Sequence, residues 1–139
     1  MSIRPPRRAR SRSIDVRHPY VGEVPDDLLR GFEAFRIDPE WQWVLTVDGK
    51  IAAQLLAAPM HGVLMILRVT ALPTAPASGL LHLLRHVCKE CAESNLLGYT
   101  VFLSDNTLEG KLLRIAQRAG AYIVPASGAW VAGRFDTGY

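Results

Sequence analysis

Asp48-Gly49 separates two runs that suit only strands: Trp41 to Val47 (WQWVLTV) before it and Lys50 to Ala58 after it. An Asp-Gly pair accepts positive φ at both central positions of a two-residue turn, whose twist matches that of the flanking strands. The pair therefore predicts an antiparallel hairpin. Pro59 to Gly62 makes a second turn, and Val63 to Leu72 (VLMILRVTAL) is a nearly continuous apolar run. Such a run predicts an interior strand covered on both faces. Three strands in a meander follow.

The flanking sequence supplies the other elements. Ser13 to Arg17 alternates apolar and polar residues as a short edge strand does. Asp26 and Asp27 after Pro25 start a helix carrying Leu28, Leu29, Phe32 and Phe35 at helical spacing. Ser78 is read as the N-cap of a helix from Gly79 to Ser94, with an apolar stripe through Leu80, Leu81, Leu83, Leu84, Val87, Cys88 and Cys91. Gly98 releases Tyr99 to Leu103 as a strand, and Asn106 or Thr107 caps a helix from Thr107 to Ala119 that ends at Gly120. Ala121 to Val124, a turn at Pro125 to Gly128, and Ala129 to Phe135 close the chain as a hairpin. The expected class is α+β: a mainly antiparallel sheet of six to seven strands flanked by helices. With 139 residues, 49% of them hydrophobic, the chain is the size of one domain. It divides into an arm at 1–13 and a domain at 14–139.

Charge is segregated. The first 17 residues hold Arg4, Arg7, Arg8, Arg10, Arg12 and Arg17 against Asp15 alone, a surplus of +5 within a net +3. The arm has almost nothing to bury and cannot belong to the core. Its arginines, Arg4, Arg7, Arg8, Arg10 and Arg12, are candidate partner contacts: to an acidic protein surface within an assembly, or to nucleic-acid phosphates. A solubilising tail is the plain alternative, and the oligomeric state stays open. No apolar segment follows the basic start as a secretory signal requires, and no run is long enough to cross a membrane. The expected setting is cytoplasmic.

Cys88 and Cys91 form a lone CKEC inside the predicted helix, not at a helix N-terminus where a redox pair gains its low thiol pKa. No second pair completes a zinc site, and His82 and His86 lie on another face of the helix, so no metal is expected.

The order of elements, together with Val69-Thr70-Ala71-Leu72-Pro73, Leu83-Leu84, Ser104-Asp105-Asn106 and Ala119-Gly120-Ala121-Tyr122, resembles the GNAT N-acetyltransferase family from about Ser13 to Phe135. The resemblance implies an acetyl-CoA site at the start of the long helix, where free backbone amides hold the pyrophosphate. It makes Ala71, Ser78, Gly79, Leu80 and Asn106 the candidate cofactor-binding residues. The chain departs from the family's phosphate loop at Pro76, which has no N–H, and at Leu81, which replaces a small residue. Ala116 stands where the family carries a proton-donating Tyr. His61, Tyr122 and Glu40 are the candidate catalytic replacements, with His61 in a Pro-Met-His-Gly turn and Tyr122 opening a strand also reading as plain structural residues. The departures favour a GNAT-shaped, non-catalytic component of a larger assembly, similar to small internal virion proteins of short-tailed bacteriophages in the stretch from Ser104-Asp105-Asn106-Thr107 to Gly120-Ala121. The alternative is a divergent acetyl-CoA-dependent N-acetyltransferase.

Overall fold

A computed structural model describes residues 13–29, 38–104, 107–126 and 128–135. The arm arginines, Phe32, Phe35 and Asn106 lie outside the described residues. The elements follow the expected order: β1 (Ile14–Arg17), α1 (Asp26–Leu29), a 3-10 turn at Pro39–Trp41, β2 (Gln42–Val47), β3 (Lys50–Met60), β4 (Val63–Ala71), α2 (Ala77–Ala92), β5 (Gly98–Leu103), α3 (Thr107–Arg118), β6 (Tyr122–Ala126) and β7 (Gly128–Arg134). They build one seven-stranded sheet in the order β1-β2-β3-β4-β5-β7-β6. Every neighbouring pair is antiparallel except β4 and β5.

Two hairpins organise the first half. Asp48 and Gly49 sit at φ 52° and 84°, and His61 and Gly62 repeat that geometry at 51° and 82°. Both turns have positive φ at two successive positions, as the tight hairpin requires. The Asp48 carboxylate also accepts the Ser13 amide at 2.9 Å, fastening the start of β1 to the first turn.

Helices α2 and α3 cover one face of the sheet. Leu83 and Val87 of α2 pack on Trp43, Leu45, Leu55 and Leu64, while Leu112 and Ala116 of α3 pack on Val101, Leu103 and Val131. On the opposite face, Leu28 of α1 packs on Val44 and Val24. No helix among the described residues is long and apolar enough to cross a membrane.

Three local expectations need correction. α2 begins at Ala77, and its N-cap is Pro76, not Ser78: Pro76 is extended (φ −75°, ψ 152°), and its carbonyl accepts the amides of Gly79 at 2.9 Å and Leu80 at 3.2 Å. Proline's fixed φ suits the chain's entry into a helix. Pro125 belongs to β6, opposite Ala129, so the last turn is tighter than Pro125 to Gly128. β4 is interior to the sheet but not covered along both faces: Leu64 is fully buried, whereas Leu67 is 39% exposed.

Candidate functional site

The exposure of Leu67 has a geometric origin. Leu56 pairs with Arg68 and Ala57 with Ile66, so Leu67 is an extra residue in β4. A bulge of this kind bends the strand that carries it. On its other side, β4 pairs with β5 only from Val63↔Gly98 to Ile66↔Val101, although β4 runs on to Ala71 and β5 to Leu103. The two strands therefore part after four paired positions. The backbone of β4 from 67 to 71 faces the opening without a strand partner on that side.

The first turn of α2 lies beside this opening, because only 72–76 separate it from the end of β4. With the Gly79 and Leu80 amides folded back on Pro76, the exposed residues Ala77 and Ser78 hold the remaining donors of that turn. Gly79 is buried. A Cβ there would stand 2.9 Å from Leu45 Cδ2, so its missing side chain lets α2 settle on β2. Across the opening, Ser104 follows β5 directly; its amide donates to Glu109 Oε1 at 3.0 Å and its hydroxyl to Oε2 at 2.9 Å. The carboxylate thereby secures the start of α3 from within its first turn.

A cavity of about 550 Å3 runs between α2 and α3 above β4 and β5. Leu81, Leu84 and Cys88 line it from α2, and Leu112, Ile115 and Ala116 from α3. Ile66 and Val101, the last paired residues before the strands part, form its floor.

Of the sequence candidates, the structure brings Ala71, Ser78, Gly79 and Leu80 to the same end of β4. His61 is in the β3–β4 turn, at the opposite end of that strand from Ala71, and the strand from Val63 to Ala71 alone spans about 26 Å. Tyr122 is 72% exposed on the edge strand β6 and shares the sheet face of Ala132 and Thr100, away from the cavity. Glu40 is exposed in the turn before β2, two strands from β4. None of these three reaches the opening. Sequence reasoning missed Glu109, whose signal was an acidic residue in the first turn of a helix. It also missed the cavity, because Leu81 and Leu84 read as ordinary core.

The CKEC pair is not a reactive one. Burial pushes the Cys91 thiol up to about 12, with the charges of Glu90 and Cys88 adding to the effect. Burial also raises Cys88. Both thiols stay protonated at neutral pH, opposite to an activated pair. Among the described residues no group of three metal-ligating side chains converges.

No family model and no curated protein matches the chain. Solved structures do. The ribosomal-protein-S18-alanine N-acetyltransferase from Escherichia coli is 13% identical with a TM-score of 0.69, over 90% of this chain and 96% of that one. A diaminobutyrate acetyltransferase from Paenibacillus lautus, solved with its substrate and coenzyme A, is 13% identical with a TM-score of 0.64, over 91% and 98%. An N-acetyltransferase from Thermoplasma acidophilum in complex with coenzyme A is 11% identical with a TM-score of 0.61, over 88% and 99%. From β1 to β7, this chain has the fold of the GNAT acetyltransferases.

Proposed function

We propose that the chain is an acetyl-CoA-dependent N-acetyltransferase. The observation that carries the reading is the parting of β4 and β5 after Ile66↔Val101, which leaves a strand-shaped slot beside the first turn of α2. The residues there suit an elongated, amide-bearing anionic ligand. Backbone groups of β4 at 67–71 can pair with amides along it, as an added strand would. The amides of Ala77 and Ser78, at the positive end of the α2 dipole, can hold a phosphate. Pro76 contributes no donor, so the cradle is smaller than a full glycine-rich loop. Leu81 lines the cavity between the helices.

Bound acetyl-CoA supplies an activated thioester. The chain's part is placement: with His61, Tyr122 and Glu40 away from the opening, the sheet edge and the helix amides do the orienting. Orientation alone supplies large rate factors. The amine would enter from the α1 side of the opening, where Arg68 donates to the Leu28 carbonyl at 2.5 Å.

Isothermal titration with acetyl-CoA tests the binding half, and thiol release across a panel of small amines and N-terminal peptides tests the reaction. Expected are a dissociation constant near the micromolar range, about −8 kcal/mol, and release that depends on one class of amine. Absence of saturable binding overturns the reading. It would return the chain to the non-catalytic component that Pro76 and Ala116 favour.

A further inference from the structure

The sheet is covered unevenly. Helices α2 and α3 pack on one face, and α1 packs on the other around Val44. At β5, β7 and β6 that second face stands open: Tyr122 is 72% exposed, Trp130 46% and Val124 45%. Register sorts the open face into two rungs, one of Phe102, Trp130 and Val124, the other of Thr100, Ala132 and Tyr122. An apolar, aromatic surface of this kind on a small domain marks an interaction site.

The two rungs complement each other. On β7 the large Trp130 stands two residues, about 7 Å, from the small Ala132. The Trp130 ring is braced edge-on against Phe102 at 5.1 Å, so it stands as a fixed knob beside a shallow seat. A two-fold axis running across the strands between the rungs would lay each knob on the other copy's seat. It would likewise lay Phe102 on Thr100 and Tyr122 on Val124. Such self-matching is what an isologous contact requires.

Charge narrows the occupant. Neither rung holds a charged residue, so a partner chosen by charge, the arginine arm included, gains nothing here. The nearest charge on the face is Arg134, in the next rung beside Gly98. Under the same axis it would lie over the partner's Gly128, with the two guanidinium groups about 20 Å apart along the strands. Like charges therefore never meet. Pro125 withholds an N–H from the edge strand β6, a device that keeps edges from pairing, so copies would meet by the face and not by the edge.

We infer that two copies of this chain associate face to face across β5, β7 and β6, each Trp130 seated on the partner's Ala132. Covering these rungs buries about 500 Å2 per copy, near the lower bound for a specific interface. The dimer is thus a weak, reversible one, with a dissociation constant on the order of 0.1 mM. The inference does not rest on the acetyl-transfer reading, since the slot beside α2 takes no part in it.

Sedimentation equilibrium of the full chain from about 10 μM to about 1 mM is the test, with circular dichroism confirming that each variant is folded. The mass should rise from one chain toward two across that range. Trp130→Ala removes the knob and Ala132→Trp fills the seat, so each should weaken association about tenfold or more. The double variant Trp130→Ala with Ala132→Trp exchanges knob and seat and should recover affinity to within about threefold of the wild type. Should loss of Trp130 unfold the chain, Tyr122→Lys tests the same contact from an exposed position by placing an unpaired ammonium in it. A mass of one chain at about 1 mM, undiminished association in the single variants, or no recovery in a folded double variant would each overturn the inference. Failure of acetyl-CoA to bind in a separate titration bears only on the transferase reading.

Discussion

His18 and Glu90 clamp the chain just after β1 to α2: the ring Nε2 lies 2.6 Å from the Glu90 Oε2. The other ring nitrogen faces the carbonyls of Gln42 at 2.9 Å and Pro39 at 3.2 Å. Glu90 Oε1 accepts from the Trp43 indole at 3.2 Å and faces His86 Nε2 at 3.3 Å. Burial pushes this carboxyl up, but its hydrogen bonds with Trp43, His18 and His86 outweigh that and hold it below the ordinary 4.5. A depressed folded value contributes stability that is complete above the unfolded value and lost as pH falls through the folded one. Glu90→Gln should therefore cost about 1 kcal/mol at neutral pH, a modest figure because the carboxylate is 41% exposed. Its urea midpoint should also fall less steeply than the wild type's below about pH 4.5. A variant that tracks the wild type from neutral pH to about pH 3 would show the clamp to be idle.

Gly98 and Gly79 should respond very differently to alanine. A Cβ at Gly98 would run into the carbonyl of Gly133, backbone held in the β5–β7 ladder. A Cβ at Gly79 meets side chains and no backbone: a Leu45 methyl group at 2.9 Å and the Pro76 ring at 3.1 Å. We expect Gly98→Ala to cost about 3 kcal/mol or more and Gly79→Ala about 1 kcal/mol, by chemical denaturation. Equal costs would mean that β5 and β7 can shift to make room.

His61 is a turn residue on this geometry. Its φ of 51° is a conformation asparagine adopts readily, so His61→Asn should leave stability within about 0.5 kcal/mol of the wild type or raise it. Any thiol release from acetyl-CoA should be unchanged. A loss of turnover at normal affinity would restore His61 as a catalytic residue.

Arg17 is already engaged: its guanidinium bonds Glu23 at 2.8 and 2.5 Å and lies 5.2 Å from the centre of the Tyr20 ring. That pairing, with the Tyr20 amide, pulls the Glu23 carboxyl down to about 2 against a small opposing effect of burial. Five arginines are then left for the arm. Removing residues 1–12 should leave thermal unfolding of the body unchanged. Where the full chain binds duplex DNA, the slope of log K against log salt should be about −4.5, and truncation should abolish it. A shallow slope points to an acidic protein surface instead.

What the sequence made legible was local. Asp48-Gly49 and the alternation around it identify a hairpin because both signals act within a few residues. The long stripe of α2 likewise identifies a helix with one buried face. The bulge at Leu67 depends on how β4 registers against β3, and nothing within VLMILRVTAL marks it. The Ser78 cap was misplaced because Pro76 satisfies the first turn through its carbonyl, which a side-chain rule does not see. Leu81 and Leu84 carry the same apolar signal whether a neighbouring helix meets them or stands off, so the cavity is invisible in one dimension. His18 and Glu90 meet across 72 residues, beyond the reach of any spacing rule.

The short β4–β5 ladder also divides the molecule. The meander of β1 to β4 has its own core around Trp43, Leu45 and Leu55, and the ladder of β5, β7 and β6 has another around Val101, Val131 and Leu112. Along the sheet, four residue pairs stitch these halves together. Amides along that seam should exchange with solvent sooner than those within either half, and the two halves should behave as separate cooperative units in native-state exchange. A ligand lying in the slot would act as the missing stitches, converting two loosely joined folding units into one.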